Sequence, residues 1–314
     1  MYVVDVAPHV YVRFPCLAVI AGRDGAVRVL NTPDGSRRGQ LLAALMFGVV
    51  IGTTSAAAQR VMLEVHPRPG DTLLVTLEHS VTISGGQRNA PDSATTVATW
   101  YHVVTRDVVE RADSRSTIIR ALVDSVRMRT TGSIGASPFP GVDRGMEGMK
   151  VRLEVMRDGS SRLIDGLDQV DPELRAMFAA MPAVLPGAPV SVGDKWTREL
   201  PLPADGPAAT PNSAGSIRAT FSFDSLTEKG DVAWISLRGR VTPAQKSPRD
   251  GDSGAGQMSG TLSGFLRLDR RRGWLAESRA NVTIESTVPM PGAGGPLYVK
   301  VRVSQYMTTA PERR

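Results

Sequence analysis

The chain reads as a mainly β protein, a curved antiparallel sheet or half-barrel of about ten strands whose two halves echo one another, with one short covering helix. Three observations predict this. From Asp71 to Met307 long stretches alternate apolar and polar residues, which sends successive side chains to opposite faces of a strand. Gly and Asp turn signals of hairpin type punctuate them. A capped apolar stripe at helical spacing occurs over residues 171–181.

The chain has 314 residues, 41% hydrophobic and 22% charged, the balance of an ordinary globular protein. Residues 1–36 show no clear period and read as an upstream extension. Residues 37–58 have the layout of a signal peptide: Arg37 and Arg38, an apolar run from Leu41 to Gly52, then Ala56-Ala57-Ala58. That run is short of the ~20 residues that span a bilayer, so the expectation is cleavage near Ala58 and export to the periplasm or the exterior. The single cysteine is Cys16. Residues 59–314, expected as one exported domain, therefore exclude disulfides, thiolate metal sites and an acylated cysteine. They carry 32 basic and 28 acidic residues. This mild excess, with few aromatics for base stacking, speaks against nucleic acid and reads as arginines on the solvent face of strands, leaving only transient membrane contact.

In the first half, about 59–165, Leu73, Val75, Leu77, Val81 and Ile83 share one face of a strand, and His79 interrupts it. Residues 94–109 continue as a strand rich in Val, Thr and aromatics. Residues 114–129 fit either period, since Ile119, Leu122, Val123 and Val126 have helical spacing. The dominance of Ile, Val and Thr favours a strand that Asp124-Ser125 ends or bends. A loop over 130–148 leads to Met149–Met156 and an Asp158-Gly159 hairpin.

The joining segment, 166–214, holds the one predicted helix. Asp171-Pro172-Glu173 supplies an N-cap, a proline at the first helical position and an acid in the first turn. Leu174, Met177, Phe178 and Met181 form an apolar stripe, and Pro182 stops it. Such a stripe either plugs a sheet or lids a cavity. Val192-Gly193-Asp194-Lys195-Trp196 turns the chain back into a strand, with Trp196 expected against the sheet. If the stripe is a lid, Leu174, Met177, Phe178, Met181 and Trp196 are the candidate ligand-binding residues.

The second half, about 215–310, alternates more strictly. Ile217, Ala219, Phe221 and Phe223 lead to a turn at 228–231, then Ala233, Ile235 and Leu237. After a Gly/Ser/Asp loop over 246–256, two strands meet at Arg270-Arg271-Arg272-Gly273, and Tyr298–Met307 closes the sheet. Residues 148–159 and 264–273 echo each other as strand, turn and glycine, and Asp124-Ser125 echoes Asp224-Ser225.

On the segment Pro186-Gly187-Ala188-Pro189-Val190-Ser191-Val192-Gly193-Asp194-Lys195-Trp196, flanked by the two hairpins, the chain resembles exported bacterial β-rich proteins that carry Pro-Val-x-Val-Gly-Asp-x-Trp. In architecture it is similar to the LolA-type lipoprotein carriers, curved half-barrels that shield an apolar concavity with helices. The resemblance implies an exported β-fold and an apolar or lipid-like ligand. It supplies no catalytic residues.

Catalytic signals fail on their own chemistry. Gly251-Asp252-Ser253-Gly254 copies a protease string, but no histidine beyond residue 58 stands in a matching context. Asp250 and Asp252 begin like a calcium loop, yet Gly254 and Thr261 fall where oxygen ligands belong. Asp165, Asp168, Asp171 and Glu173 suit a capped, solvated turn. His79 and His102 could meet only across neighbouring strands. No enzyme, metal or cofactor is expected. Two classes stay open: a carrier of an apolar or lipid-like ligand on the concave face, and a structural or interaction module of the envelope with a filled core.

Overall fold

The computed structural model describes residues 60–87, 95–132, 146–166, 180–202, 215–227, 229–243, 258–288 and 296–312. They form one twelve-stranded antiparallel sheet. The first six strands are β1 (Thr72–Gln87), β2 (Thr95–Ala112), β3 (Ser116–Gly132), β4 (Lys150–Met156), β5 (Ser161–Asp165) and β6 (Ala180–Met181). The rest are β7 (Lys195–Pro201), β8 (Ser216–Leu226), β9 (Val232–Thr242), β10 (Met258–Asp269), β11 (Trp274–Val288) and β12 (Leu297–Pro311).

The order β6-β5-β4-β3-β2-β1-β12-β11-β10-β9-β8-β7 has a simple meaning. The chain starts in mid-sheet, walks to one edge, crosses to the other and walks back until β12 pairs with β1. The second six strands thus repeat the first six, shifted along the sheet. The hairpins at Asp158-Gly159 and Arg272-Gly273 fall on equivalent strand pairs, β4/β5 and β10/β11. The two Asp-Ser pairs fall on non-equivalent strands, β3 and β8. The segment 166–214 is more than a joint, since β6 and β7 are the two edges of the sheet.

Residues 116–132 are a strand, and the structure explains their double periodicity. Val104 pairs with Ser125 and Thr105 with Val123, which leaves Asp124 as the extra residue of a bulge. Val123 and Val126 therefore both face the core, at 4% and 6% exposure, although three positions apart. The bulge mimics helical spacing. A second one skips Asp224, between Phe223 and Ser225.

The sheet is strongly curled. Asp107 of β2, Leu153 of β4, Trp274 of β11 and Met307 of β12 line one small cavity, which strands this far apart in a flat sheet could not do. Glycines allow the tight curl of the second half: a Cβ on Gly264 would overlap the Arg279 carbonyl oxygen, and one on Gly260 that of Thr283. The inner face there is closed, with Phe221, Phe223, Ile235, Leu266 and Leu268 fully buried.

A strap closes one end of the curl. Residues 61–66 run from Val190 to the β4/β5 and β10/β11 turns: Val61 pairs with Val190, Val65 N–H donates to Arg157 O at 2.9 Å and His66 N–H to Gly273 O at 2.6 Å. Val61, Leu63 and Val65, with Val184 and Leu185, fill the interior beneath. Below, "strap end" means this end and "far end" the other.

The predicted helix lies mostly outside the described residues, which take in none of Leu174, Met177 and Phe178. Its last turn is corrected. Met181 is in β6, paired with Ser161, because a residue before proline is driven out of the α region into extended backbone.

Candidate functional site

The inner face divides into a closed part and an open part. On β8–β11 the inward residues are buried, as described. On β1–β3 the same face is largely apolar and half-buried: Val75, Leu77, Val81 and Ile83 of β1, Val97, Tyr101 and Val103 of β2, and Met128 of β3, interrupted by His79 and by the buried Thr99, which hydrogen-bonds Thr130. Register puts them side by side, in the rows Leu77–Val103–Val126, His79–Tyr101–Met128 and Ile83–Val97–Gly132. The difference has a local cause. β4 pairs with β3 only from Ser116 to Leu122, so among the described residues no strand flanks β3 beyond that point.

His79 sits in the middle of this strip. Burial among Tyr101, Gln305 and aliphatic neighbours holds its imidazole down at about 4, so it is neutral at physiological pH. Its ring lies 6.0 Å from Tyr101. His102 is on the outer face, stacked 5.8 Å from Trp100, because adjacent-strand pairing matches His79 with Tyr101 and sends the two histidines to opposite faces. They make no joint site. Among the described residues no group of His, Cys, Asp and Glu could hold a metal ion.

Trp196 is half-buried at the start of β7. Its indole N–H donates to Val184 O at 2.8 Å and its ring stacks on Phe221, centroids 5.7 Å apart and planes at 7°. It seats the segment that carries Val184 and Leu185, and its polar edge is already committed. Residues 174, 177 and 178 lie outside the described residues, and of Met181 only the backbone is described.

Beneath the strap lies a cavity of about 60 Å³ bordered by Val65, Ile119, Val155 and Val184. This has room for water but is far below the ~300 Å³ of a small-molecule site. Asp107 (7% exposed) and Ser161 (5%) also border it, and Asp107 Oδ1 and Ser161 Oγ have no protein partner. Burial pushes the Asp107 carboxyl up to about 6, against a hydrogen bond from Thr105.

The sequence matches no protein-family model, and no curated protein is similar to it. Among the solved structures that are similar in part are the following three. One concerns lipid–protein interactions in lipovitellin, at TM-score 0.41 and 8% identity, covering 79% of this chain and 26% of that one. Another is the COG4313 outer membrane channel from Pseudomonas putida F1, at TM-score 0.23 and 9% identity, covering 78% and 98%. The third is DynF from the dynemicin biosynthesis pathway of Micromonospora chersina, at TM-score 0.13 and 9% identity, covering 80% and 85%. The chain spans about a quarter of the lipovitellin chain it matches. Likenesses this distant decide nothing about function, which rests on the geometry above.

The strap was not legible as an element. Val61-Met62-Leu63-Glu64-Val65 is apolar at four of five positions without alternating, and runs only five residues before His66-Pro67, too few to be told from a loop.

Proposed function

We propose that this is an exported, non-enzymatic binding protein that holds an apolar, lipid-like ligand against the inner face of β1–β3. The observation that carries the reading is the contrast within one curved face: the strip from Val75 to Ile83 and across to Met128 is largely apolar with most of its side chains only half-buried, while the matching face of β8–β11 is closed. Open apolar surface inside a concave sheet is where a ligand gains most by excluding water. In this reading Trp196, at the start of the edge strand β7, anchors the Val184–Leu185 segment. Export rests on the Arg37–Ala58 pattern, and Val61, three residues beyond Ala58, is already part of the core at 5% exposure.

The second reading, an envelope interaction module with a filled core, draws on the strap end, where the cavity of about 60 Å³ is too small for an acyl chain. One experiment separates the two. Protein recovered from the exported fraction is extracted with organic solvent and the extract read by mass spectrometry. A stoichiometric lipid supports the carrier. A clean extract from a protein that also takes up no apolar dye supports the filled module. N-terminal sequencing of the same sample should begin at Gln59 or a neighbour, and an intact Met1 would refute export by this signal.

A further inference from the structure

The outer face of the sheet carries a band of unpaired arginines that the ligand strip does not explain. Cross-strand register runs Arg218 (β8), Arg240 (β9), Thr261 (β10), Thr283 (β11) and Arg302 (β12) as one row, continued by Thr82 of β1. The adjacent row on the same face holds Arg238, Ser263, Asn281, Ser304 and Ser80, and ends on Trp100 and Arg129. Between β8 and β3 neither row contains an acid; Glu199 of β7 faces Arg218 at the sheet edge, and Glu285, paired with Lys300, lies one row beyond Arg302. Arg218, Arg238, Arg240, Arg302 and Arg129 are all exposed, and none makes an ion pair among the described residues.

Charge is sorted along the strands. Most of the ion pairs, among them Arg152 with Glu110, Arg157 with Glu64, Arg162 with Glu154 and Arg267 with Glu277, lie toward the strap end. The unpaired arginines lie toward the far end, where β8 begins and β9 ends. Arg218 and Arg240 stand directly opposite each other, and like charges in that relation destabilise a sheet. Arg238 adds a third charge beside them. Such a cluster gains from an anion that spans it.

We propose that this band docks the protein on an anionic lipid surface. Guanidinium groups bind phosphate in a bidentate way, and the Ser, Thr and Asn hydroxyls and amides between them supply further partners for headgroup oxygens. The aromatics on this face fit a membrane better than a nucleic acid. Trp100 (36% exposed, stacked on His102), Trp234 (37%, beside Phe265) and Tyr298 (37%) lie at separate places on the sheet, as interfacial anchors do, rather than in one continuous run of rings on which bases could stack. The band does not depend on the inner strip, so it docks the protein whether or not a ligand is carried.

The test is sedimentation of the soluble protein, expressed from the full chain, with vesicles of phosphatidylcholine alone or with 30% phosphatidylglycerol (on the order of an anionic leaflet). Binding is expected only to the anionic vesicles and should fall steeply as salt is raised. The triple variant R218Q/R238Q/R240Q should lose roughly a hundredfold in partitioning, at about fivefold for each arginine, with a thermal transition no lower than that of wild type. The single variant K195Q, on the same face toward the strap end, should bind as wild type. Equal binding to neutral vesicles, no binding to anionic ones, or an unaffected triple variant overturns the proposal. So does salt-sensitive binding to single-stranded DNA without vesicle binding. Uptake of an apolar dye by the same preparation reports separately on the inner strip.

Discussion

Gly273 accepts a hydrogen bond from the His66 amide at 2.6 Å, and a Cβ on Gly273 would overlap the His66 carbonyl oxygen. The β10/β11 turn and the strap therefore approach as closely as backbones can. The glycine's φ of +67° is a further demand that L side chains rarely meet. Gly273→Ala should cost about 2 kcal/mol or more, read as a lower urea midpoint, and should increase hydrogen exchange at Val65 and His66. Unchanged exchange there would mean that the strap is not held by this turn.

Asp107 and His79 set opposing pH dependences. Asp107 titrates near 6 in the fold against 3.8 as a free carboxylate, so the folded state binds the extra proton. Its neutral form gives full stability below pH 4, and this is lost as pH rises through 6, about 3 kcal/mol in all. The groups facing it, Thr105, Leu73, Ala121 and Met307, carry no charge. Asp107→Asn should stabilise the protein at pH 7.5 and leave it little changed at pH 4. A variant that is no more stable at pH 7.5 would show that water reaches the carboxylate.

His79 acts the other way. Its imidazole is held at about 4 in the fold against 6.5, so the unfolded chain binds the proton first and stability falls as pH drops from 6.5 to 4. His79→Gln should remove that slope and expose the Asp107 slope of opposite sign, in denaturation curves taken at half-unit pH steps. A wild-type slope surviving in His79→Gln would rule the histidine out as its source.

Trp196 holds the Val184–Leu185 segment by two means, a hydrogen bond and a ring stack. Trp196→Phe keeps the stack on Phe221 and orphans the Val184 carbonyl, at about 1 kcal/mol. Trp196→Ala loses both, at about 3 kcal/mol. Equal losses in the two variants would assign the seat to the hydrogen bond alone.

How much of this could be read from the sequence depends on how far each interaction reaches along the chain. Alternation is local, so β1, β8, β9, β11 and β12 and the turns at Gly159 and Gly273 were legible. Strand against helix at 116–132 was decided by composition, while the bulge at Asp124 that blurred the period depends on pairing with β2. The strap was hidden because Val61–His66 finds its partners at Arg157, Val190 and Gly273. The unpaired arginine rows emerge only from register, since Arg218, Arg240 and Arg302 are scattered in sequence. Of the candidate ligand residues, Trp196 lies against the sheet as expected, and the open strip of Val97, Tyr101 and Met128 was not singled out because a half-buried and a fully buried strand share one pattern.

The central claim, an apolar ligand on the inner face of β1–β3, is tested most directly by titrating the soluble protein with a fluorescent fatty-acid analogue alongside a Met128→Arg variant. Met128 lies on the strip at its β3 margin, half-exposed beside Tyr101, so an arginine there can reach water without unfolding the sheet while placing a charge on the ligand's path. The expected result is saturable one-to-one binding by wild type and a loss of at least about tenfold in the variant, the cost of about 1.4 kcal/mol or more of misplaced charge, at an unchanged circular dichroism spectrum. Wild type that never saturates, or a variant that binds as wild type does, would contradict it.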